Sequence, residues 1–270
     1  MKPLLATISI LLLSILCWAQ GDSTFQLVRT IKVAATDIAV DNLNNIYVLT
    51  PTDQLKKYNP AGDSISVYNE TKRFGKLHSM DASNPLKLLL YYKDFATIVI
   101  LDRQLSIRST IDLRRQNITQ VSAIGLSYDN NIWVFDAVDN KLKKIDEYGA
   151  TLSEFTDFRT IFSKSFVPER IIDYNGSVYL YDPAQGVAIF DYYGTLQKKL
   201  SITGWKNIAI LDKQIIGTDN STIYTFYTNN LMERKYQFPS SFGSFTQYLI
   251  ANTHLFALSK DAVNIYTVRF

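Results

Sequence analysis

Catalysis at neutral pH needs a nucleophile, a base or a set of metal ligands, and this chain holds little of any. Its 270 residues include two histidines, His78 and His254, and one cysteine, Cys17. A nucleophile works only with a base and an orienting acid within hydrogen-bond reach, and no Gly-x-Ser-x-Gly turn is present. A three-histidine metal site is excluded by count. The glycines stand singly and build no phosphate-cradling loop. No catalytic residue, no metal and no cofactor is therefore expected. What remains is a set of polar residues at intervals of 37 to 48 positions: Asp37, His78 (or Ser79), Ser122, Arg170, Asn207 and Gln247. Oxygen ligands for a cation come from carboxylates and amides on several segments. Asp37 and Asn207 qualify, Glu169 or Asp81 would have to turn inward, and the charge of Arg170 opposes a cation.

Those intervals matter only if the fold superimposes them, and the sequence repeats at the same period. Ile38–Leu49 and Ile124–Phe135 share one pattern, an apolar strand, an Asp/Asn turn and a second apolar strand. Leu55–Gly62 and Leu142–Gly149 then each give a third strand ending in a glycine turn. Anchored on the second strand, the unit recurs at Ile46, Leu88, Ile132, Val178, Ile215 and Leu255, with spacings of 42, 44, 46, 37 and 40 residues. A third strand begins 8 to 10 residues after each anchor, and a more polar fourth strand follows in the first five units. Leu196–Ile202, with two lysines, suits an exposed edge, where charge discourages further pairing. Asn175-Gly176 and Asn130-Asn131 have the residue types that tight hairpin turns demand.

Four strands at about forty residues is the period of a β-propeller blade. The expected fold is therefore all-β, a six-bladed propeller of four-stranded blades. The sixth unit stops after its third strand, and Phe25–Val33 near the N-terminus is a spare strand of the right pattern. Pairing it beside Val263–Arg269 would close the ring and leave no open blade. A pair of β-sandwiches would explain the turn spacing, but neither the sixfold repeat nor the matched ends.

Lys2 followed by the apolar run Leu4–Leu16 is too short to span a bilayer but fits a signal peptide, with Cys17-Trp18-Ala19 placing small residues for cleavage after Ala19. Residues 1–19 are read as a signal peptide and 20–270 as one propeller domain. Lipidation of Cys17 is the competing reading, although Leu16 stands where a small residue is wanted. No later segment reaches transmembrane length. The expected location is exported: periplasmic, outer-membrane-associated or secreted. A net charge of +3 is too small to mark a nucleic-acid partner.

The first and third repeats resemble the NHL repeat, through Asp129, Asn131, Ile132-Trp133-Val134, Asp136, Asn140, Lys141 and Leu142 in one, and Asp41, Asn45 and Ile46-Tyr47-Val48 in the other. Repeat four keeps Tyr179, Asp182 and Gly186, while the remaining three keep only the apolar skeleton. The chain is similar to a diverged NHL/TolB-like propeller of an exported bacterial protein. That resemblance implies a fold used for binding, for scaffolding and by several kinds of enzyme, so function must be argued from the site. Zinc-dependent lyases of this architecture rely on several inward histidines, and lactonases on several axial oxygen ligands.

Loops at the channel mouth are expected to carry aromatic residues (Phe74, Phe95, Phe166, Trp205, Phe242) and basic pairs (Lys72-Arg73, Arg114-Arg115). Exposed loop aromatics are what a protein or glycan surface uses. The expected function is thus a non-catalytic binding or scaffold module that docks an envelope or extracellular protein, or a glycan, on this loop face. Trp205, Arg170, Asp37, His78, Phe95 and Asn207 are the candidate contacts. The alternative is a cation-dependent hydrolase, lactonase-like, with an axial metal on Asp37 and Asn207.

Overall fold

The computed structural model describes residues 24–240, 242–243 and 245–269; the apolar leader and Cys17 lie outside them. The chain opens with β1 (Phe25–Lys32). Blade 1 follows as β2 (Asp37–Val40), β3 (Ile46–Leu49), β4 (Leu55–Tyr58) and β5 (Ser64–Tyr68). Blade 2 is β6 (Ser79–Asn84), β7 (Lys87–Tyr92), β8 (Thr97–Asp102) and β9 (Ile107–Asp112). Blade 3 comprises β10 (Val121–Leu126), β11 (Ile132–Asp136), β12 (Lys141–Ile145) and β13 (Thr151–Glu154). In blade 4 the strands are β14 (Arg170–Tyr174), β15 (Ser177–Asp182), β16 (Gly186–Asp191) and β17 (Leu196–Leu200). Blade 5 has β18 (Lys206–Leu211), β19 (Gln214–Thr218), β20 (Thr222–Tyr227) and β21 (Met232–Gln237). The last blade adds β22 (Gln247–Ala251), β23 (His254–Leu258) and β24 (Ala262–Val268), and its sheet order is β1-β24-β23-β22.

The N-terminal strand is therefore the missing outer strand of blade 6, as the repeat arithmetic predicts. It runs antiparallel to β24 from Phe25 opposite Val268 to Lys32 opposite Ala262, with one irregularity between Leu27 and Arg29. The first strands of the blades touch in a closed ring, β2 with β6 and β22, β10 with β6 and β14, and β18 with β14 and β22. Six apolar cores lie between neighbouring blades. Each blade thus buries both faces, which is why strands such as β7 and β11 are buried throughout and read as continuous apolar runs.

The acidic residues that carry the NHL resemblance are turn caps. Asp41 accepts the amides of Leu43 and Asn45 and the hydroxyl of Tyr47. Asp136 accepts Val138 N–H and the Lys143 ammonium, at 3.0 and 2.7 Å. Asp182 takes the amides of Val167 and Ala184. Between third and fourth strands, Asn59, Asp146 and Asp191 each accept the amide four residues on, while Gly62, Gly149 and Gly194 supply φ near +90°. Asn175 and Gly176 both take positive φ, but of Asn130-Asn131 only Asn130 does.

Gly186 is the most constrained glycine. Its φ is +98°, and a Cβ there would fall 2.1 Å from the Leu200 carbonyl oxygen on β17. Gly176 has φ +82° with nothing within 4 Å of such a Cβ. Positive φ alone costs a side chain about 1–2 kcal/mol, and Gly186→Ala adds a backbone clash. We expect Gly186→Ala to lower the melting temperature by at least twice as much as Gly176→Ala, measured by circular dichroism; equal losses would show that the strand contact is irrelevant.

Candidate binding cleft at the channel mouth

Antiparallel alternation puts the loops that enter each blade, and those between its second and third strands, on one face. On that face a cleft of about 580 Å3 opens at the channel mouth. Four blades build it: Thr36 and Asp37 from blade 1, Glu169 and Arg170 with Tyr181 from blade 4, Trp205, Lys206 and Asn207 from blade 5, and Thr246 with Gln247 from blade 6. Apart from Tyr181 on β15, each polar group stands at or next to the first residue of an inner strand, so rigid sheet fixes its position. Asp37, Arg170, Trp205, Asn207 and Gln247 are thereby brought together. His78 and Phe95 are not among the lining residues.

Asp37 is half-buried, and its Oδ1 accepts the Ile38 amide at 2.8 Å. Gln247 Oε1 accepts the same amide at 3.2 Å, which ties blade 6 to blade 1. Burial holds the Asp37 carboxyl above the usual carboxylate range, against the lowering pull of Gln247, the Ile38 amide and the Arg170 guanidinium. Arg170 and Glu169 are exposed, as is Lys206, so the rim carries both signs of charge side by side. The exposed His78 precedes β6 and meets the Tyr91 ring edge-on at 5.7 Å. Desolvation lowers its pKa, helped by Lys93 and opposed by Asp94 and Glu169.

The exposure expected of Trp205 is corrected, although the residue does line the cleft. It is 7% exposed and stacks on Tyr224 at a centroid distance of 5.1 Å. Its ring fills the space above Gly217, where a Cβ would approach it to 2.6 Å, and its carbonyl accepts the buried Tyr181 hydroxyl at 2.7 Å. Trp205 packs blade 4 on blade 5 and exposes little of itself to the cleft. Phe166 is also buried, Phe74 packs on Tyr92, and Phe242 packs among Phe25, Phe238 and Tyr266. Phe95 alone of the five is well exposed, at 48%. The basic pairs are met by acids, Lys72 by Asp53, Arg73 by Glu70, and Arg114 by Asp112. The mouth is accordingly polar and charge-balanced, neither aromatic nor basic.

Exposed aromatics gather on the opposite face, at Tyr128, Tyr148 and Tyr193. The last two precede the glycine of an Asp-x-Tyr-Gly turn, a position that necessarily points outward, and that signal was present in the sequence. Lys206 and Thr246 were missed although each neighbours a residue that the repeat count selects, and Glu169, weighed in the sequence only as a cation ligand, lines the cleft beside Arg170. His254 is the first residue of β23 and is not among the residues that line the cleft. Among the described residues no group of three or more His, Cys, Asp or Glu is placed to hold a metal ion, and no helix is long and apolar enough to cross a membrane.

No protein-family model matches the chain. Over 147 residues it is 29% identical to an S-layer protein of Geobacillus stearothermophilus, a match covering 52% of this chain and 12% of that relative, so the chain spans a small part of the relative's length. Among solved structures, a streptogramin B lyase superimposes with TM-score 0.59 at 15% identity, covering 86% of this chain and 78% of that one. The Pan2 WD40 domain of Neurospora crassa gives 0.63 at 11% identity, with 93% and 97% covered. A catalytically inactive virginiamycin B lyase from Staphylococcus aureus with quinupristin gives 0.63 at 11%, with 91% and 100% covered. At such identities the likeness establishes the propeller fold alone.

The raised pKa of Asp37 has a consequence for stability. Folded chain keeps this proton to higher pH than unfolded chain, so stability falls as pH rises from the ordinary value of 3.8 through the raised one. Asp37→Asn keeps an oxygen for the Ile38 amide and removes the titration. We expect the variant to melt above the parent at pH 7 and level with it below pH 3.8. A gain that does not change with pH, or a loss at pH 7, would contradict the burial of this carboxyl.

Proposed function

We propose that the chain is an exported, non-catalytic binding or scaffold module, a diverged NHL/TolB-like propeller that docks an envelope or extracellular protein, or a glycan, on the face where the mouth cleft opens. Residues 1–19 would direct export and 20–270 form the single propeller domain. The observation that carries this reading is the cleft itself, in which four blades present donors and acceptors of both charges on rigid strand ends. The partial similarity to an S-layer protein supports an extracytoplasmic location. Arg170 and Asn207 are the contacts with free polar reach, Asp37 sets the charge of the floor, and His78 and Phe95 extend the surface beyond the rim. Trp205 serves by holding the blade 4 and blade 5 loops in place.

A second reading, a cation-dependent hydrolase of lactonase type, is favoured by one observation: Asp37 and Asn207 line the same cleft. Ligands that bind only the folded state raise its melting temperature. The test compares partner capture from the source's own envelope fraction by the parent, by Arg170→Glu and by Trp205→Ala, with a thermal-shift series in Ca2+, Mg2+, Mn2+ and Zn2+ before and after chelation. We expect Arg170→Glu to lose capture while still melting as a folded chain, and Trp205→Ala to lose about 3–5 kcal/mol of stability. We expect no cation-dependent gain. A clear gain that chelation reverses would favour the hydrolase, and unimpaired capture by Arg170→Glu would remove the mouth as the docking site.

A further inference from the structure

Every blade ends in an outer strand whose far edge is unpaired. A row of free backbone donors and acceptors is a template for another strand, and chains guard against it with charged side chains. Five of the six outer strands carry that guard: Arg29 and Lys32 on β1, Arg108 and Asp112 on β9, Glu154 on β13, Lys198 and Lys199 on β17, and Glu233, Arg234 and Lys235 on β21. The strand β5, Ser64-Ile65-Ser66-Val67-Tyr68, has no charge, no proline and no glycine. Ile65 and Val67 are 49% and 44% exposed, while Tyr68 anchors the strand in the core between blades 1 and 2.

Beside this edge runs a groove of about 630 Å3 between blades 1 and 2, at the end of the barrel away from the mouth cleft. Leu43 and Leu86, both more than 60% exposed, form its apolar part, and Ile65 and Ser66 of β5 form its wall. Two cations line it, Lys57 and Arg103, and no carboxylate does. The nearby carboxylates are already engaged, Asp41 with two amides and the Tyr47 hydroxyl, Asp102 with the amides of Gln104 and Ser106, and the exposed Asp63 and Glu70 that flank β5 with the Asn59 side-chain amide and the Arg73 guanidinium. Lys57 is buried, donates to the Arg103 carbonyl at 3.0 Å and lies over the Tyr47 ring. Lys57 pairs with Ser66, and Lys56 with Val67. Ser66 therefore shares the groove side with Lys57, and Val67 points to the other side of the sheet.

We propose that the free edge of β5 accepts an extended segment of a partner protein whose side chains alternate acidic and apolar. Backbone pairing to β5 extends blade 1 by one strand; the acidic side chains meet the exposed Arg103 on the groove side, with the buried Lys57 adding positive charge beneath it, and the apolar ones cover Val67 on the other. Charge complementarity selects this occupant over a basic segment, and the alternation of the sheet selects it over a helix.

The probe is a fluorescein-labelled, end-capped octapeptide alternating glutamate and valine, titrated by anisotropy into the whole chain. Controls are the lysine–valine peptide, two glutamate–valine peptides N-methylated along opposite edges, and the exposed-site variants Arg103→Glu and Val67→Glu, whose folding is checked by circular dichroism. We expect saturable binding of the glutamate–valine peptide, weakened about ten-fold or more by either variant and abolished by N-methylation of one edge but not of the other. No binding up to about 1 mM, equal binding of the lysine peptide, or indifference to N-methylation of both edges would each overturn the proposal. So would a dimer in sedimentation of the chain alone that Val67→Glu dissolves, since a second copy would then cover the edge.

Discussion

The pairing of β1 with β24 is the constraint on which the rest depends. A propeller has no central core; its apolar surface is buried only between neighbouring blades, so a ring left open exposes two blade faces at once. β1 closes it with backbone hydrogen bonds and with side chains: Ile31 enters the core between blades 6 and 1, and Phe25 packs on Phe238 and Phe242 at the junction of blades 5 and 6. It also sets where blade 1 begins. Val33 N–H donates to the Asp261 carbonyl and Thr36 N–H to the Leu49 carbonyl, which fixes β2 and delivers Asp37 to the mouth beside Gln247. The cleft is a consequence of closure, because blade 1 and blade 6 both contribute walls.

The distribution of charge separates structure from function. Most aspartates cap turns or bridge blades. Asp173 alone accepts from Ser127, Tyr128, Trp133 and Tyr192, holding blade 3 to blade 4. Side chains engaged in this way are poor candidates for substrate contact, since breaking their bonds would leave turn amides unsatisfied. The polar groups at the mouth differ: Arg170, Glu169 and Lys206 reach solvent on strand ends that the ring holds still. A rigid frame with exposed groups of both charges suits recognition, where positions fixed in advance reduce the entropy lost on binding.

The architecture was legible because its signals are local and repeated. Apolar strands, Asp or Asn turn caps and turn glycines recur at one period, and β1 (Phe25–Lys32) supplies the missing sixth outer strand within one residue of the expected Phe25–Val33. Blade 2 hides one signal: Asp102 caps its turn as Asp146 and Asp191 do in blades 3 and 4, but Leu105 holds the left-handed position that glycine fills in blades 1, 3 and 4, with its side chain buried. The site was legible only in part. Counting along the repeat found Asp37, Arg170, Asn207 and Gln247, because inner-strand starts are superimposed by the ring. The expectation of exposed loop aromatics failed for Trp205, whose burial depends on Gly217, twelve residues on, leaving room for an indole ring. Whether a loop aromatic faces water is decided by its neighbours in space, and period alone does not specify them.

Closure can be tested by removing the strand and then returning it. A chain beginning at residue 33 should expand, bind hydrophobic dye and lose several kcal/mol, about 10 °C or more in melting temperature for a protein of this size. A synthetic peptide of residues 24–33 added in excess should dock on the vacated edge of β24 and restore much of that loss. A truncated chain that stays as small and as heat-resistant as the parent, with no response to the peptide, would contradict a ring closed by its own ends.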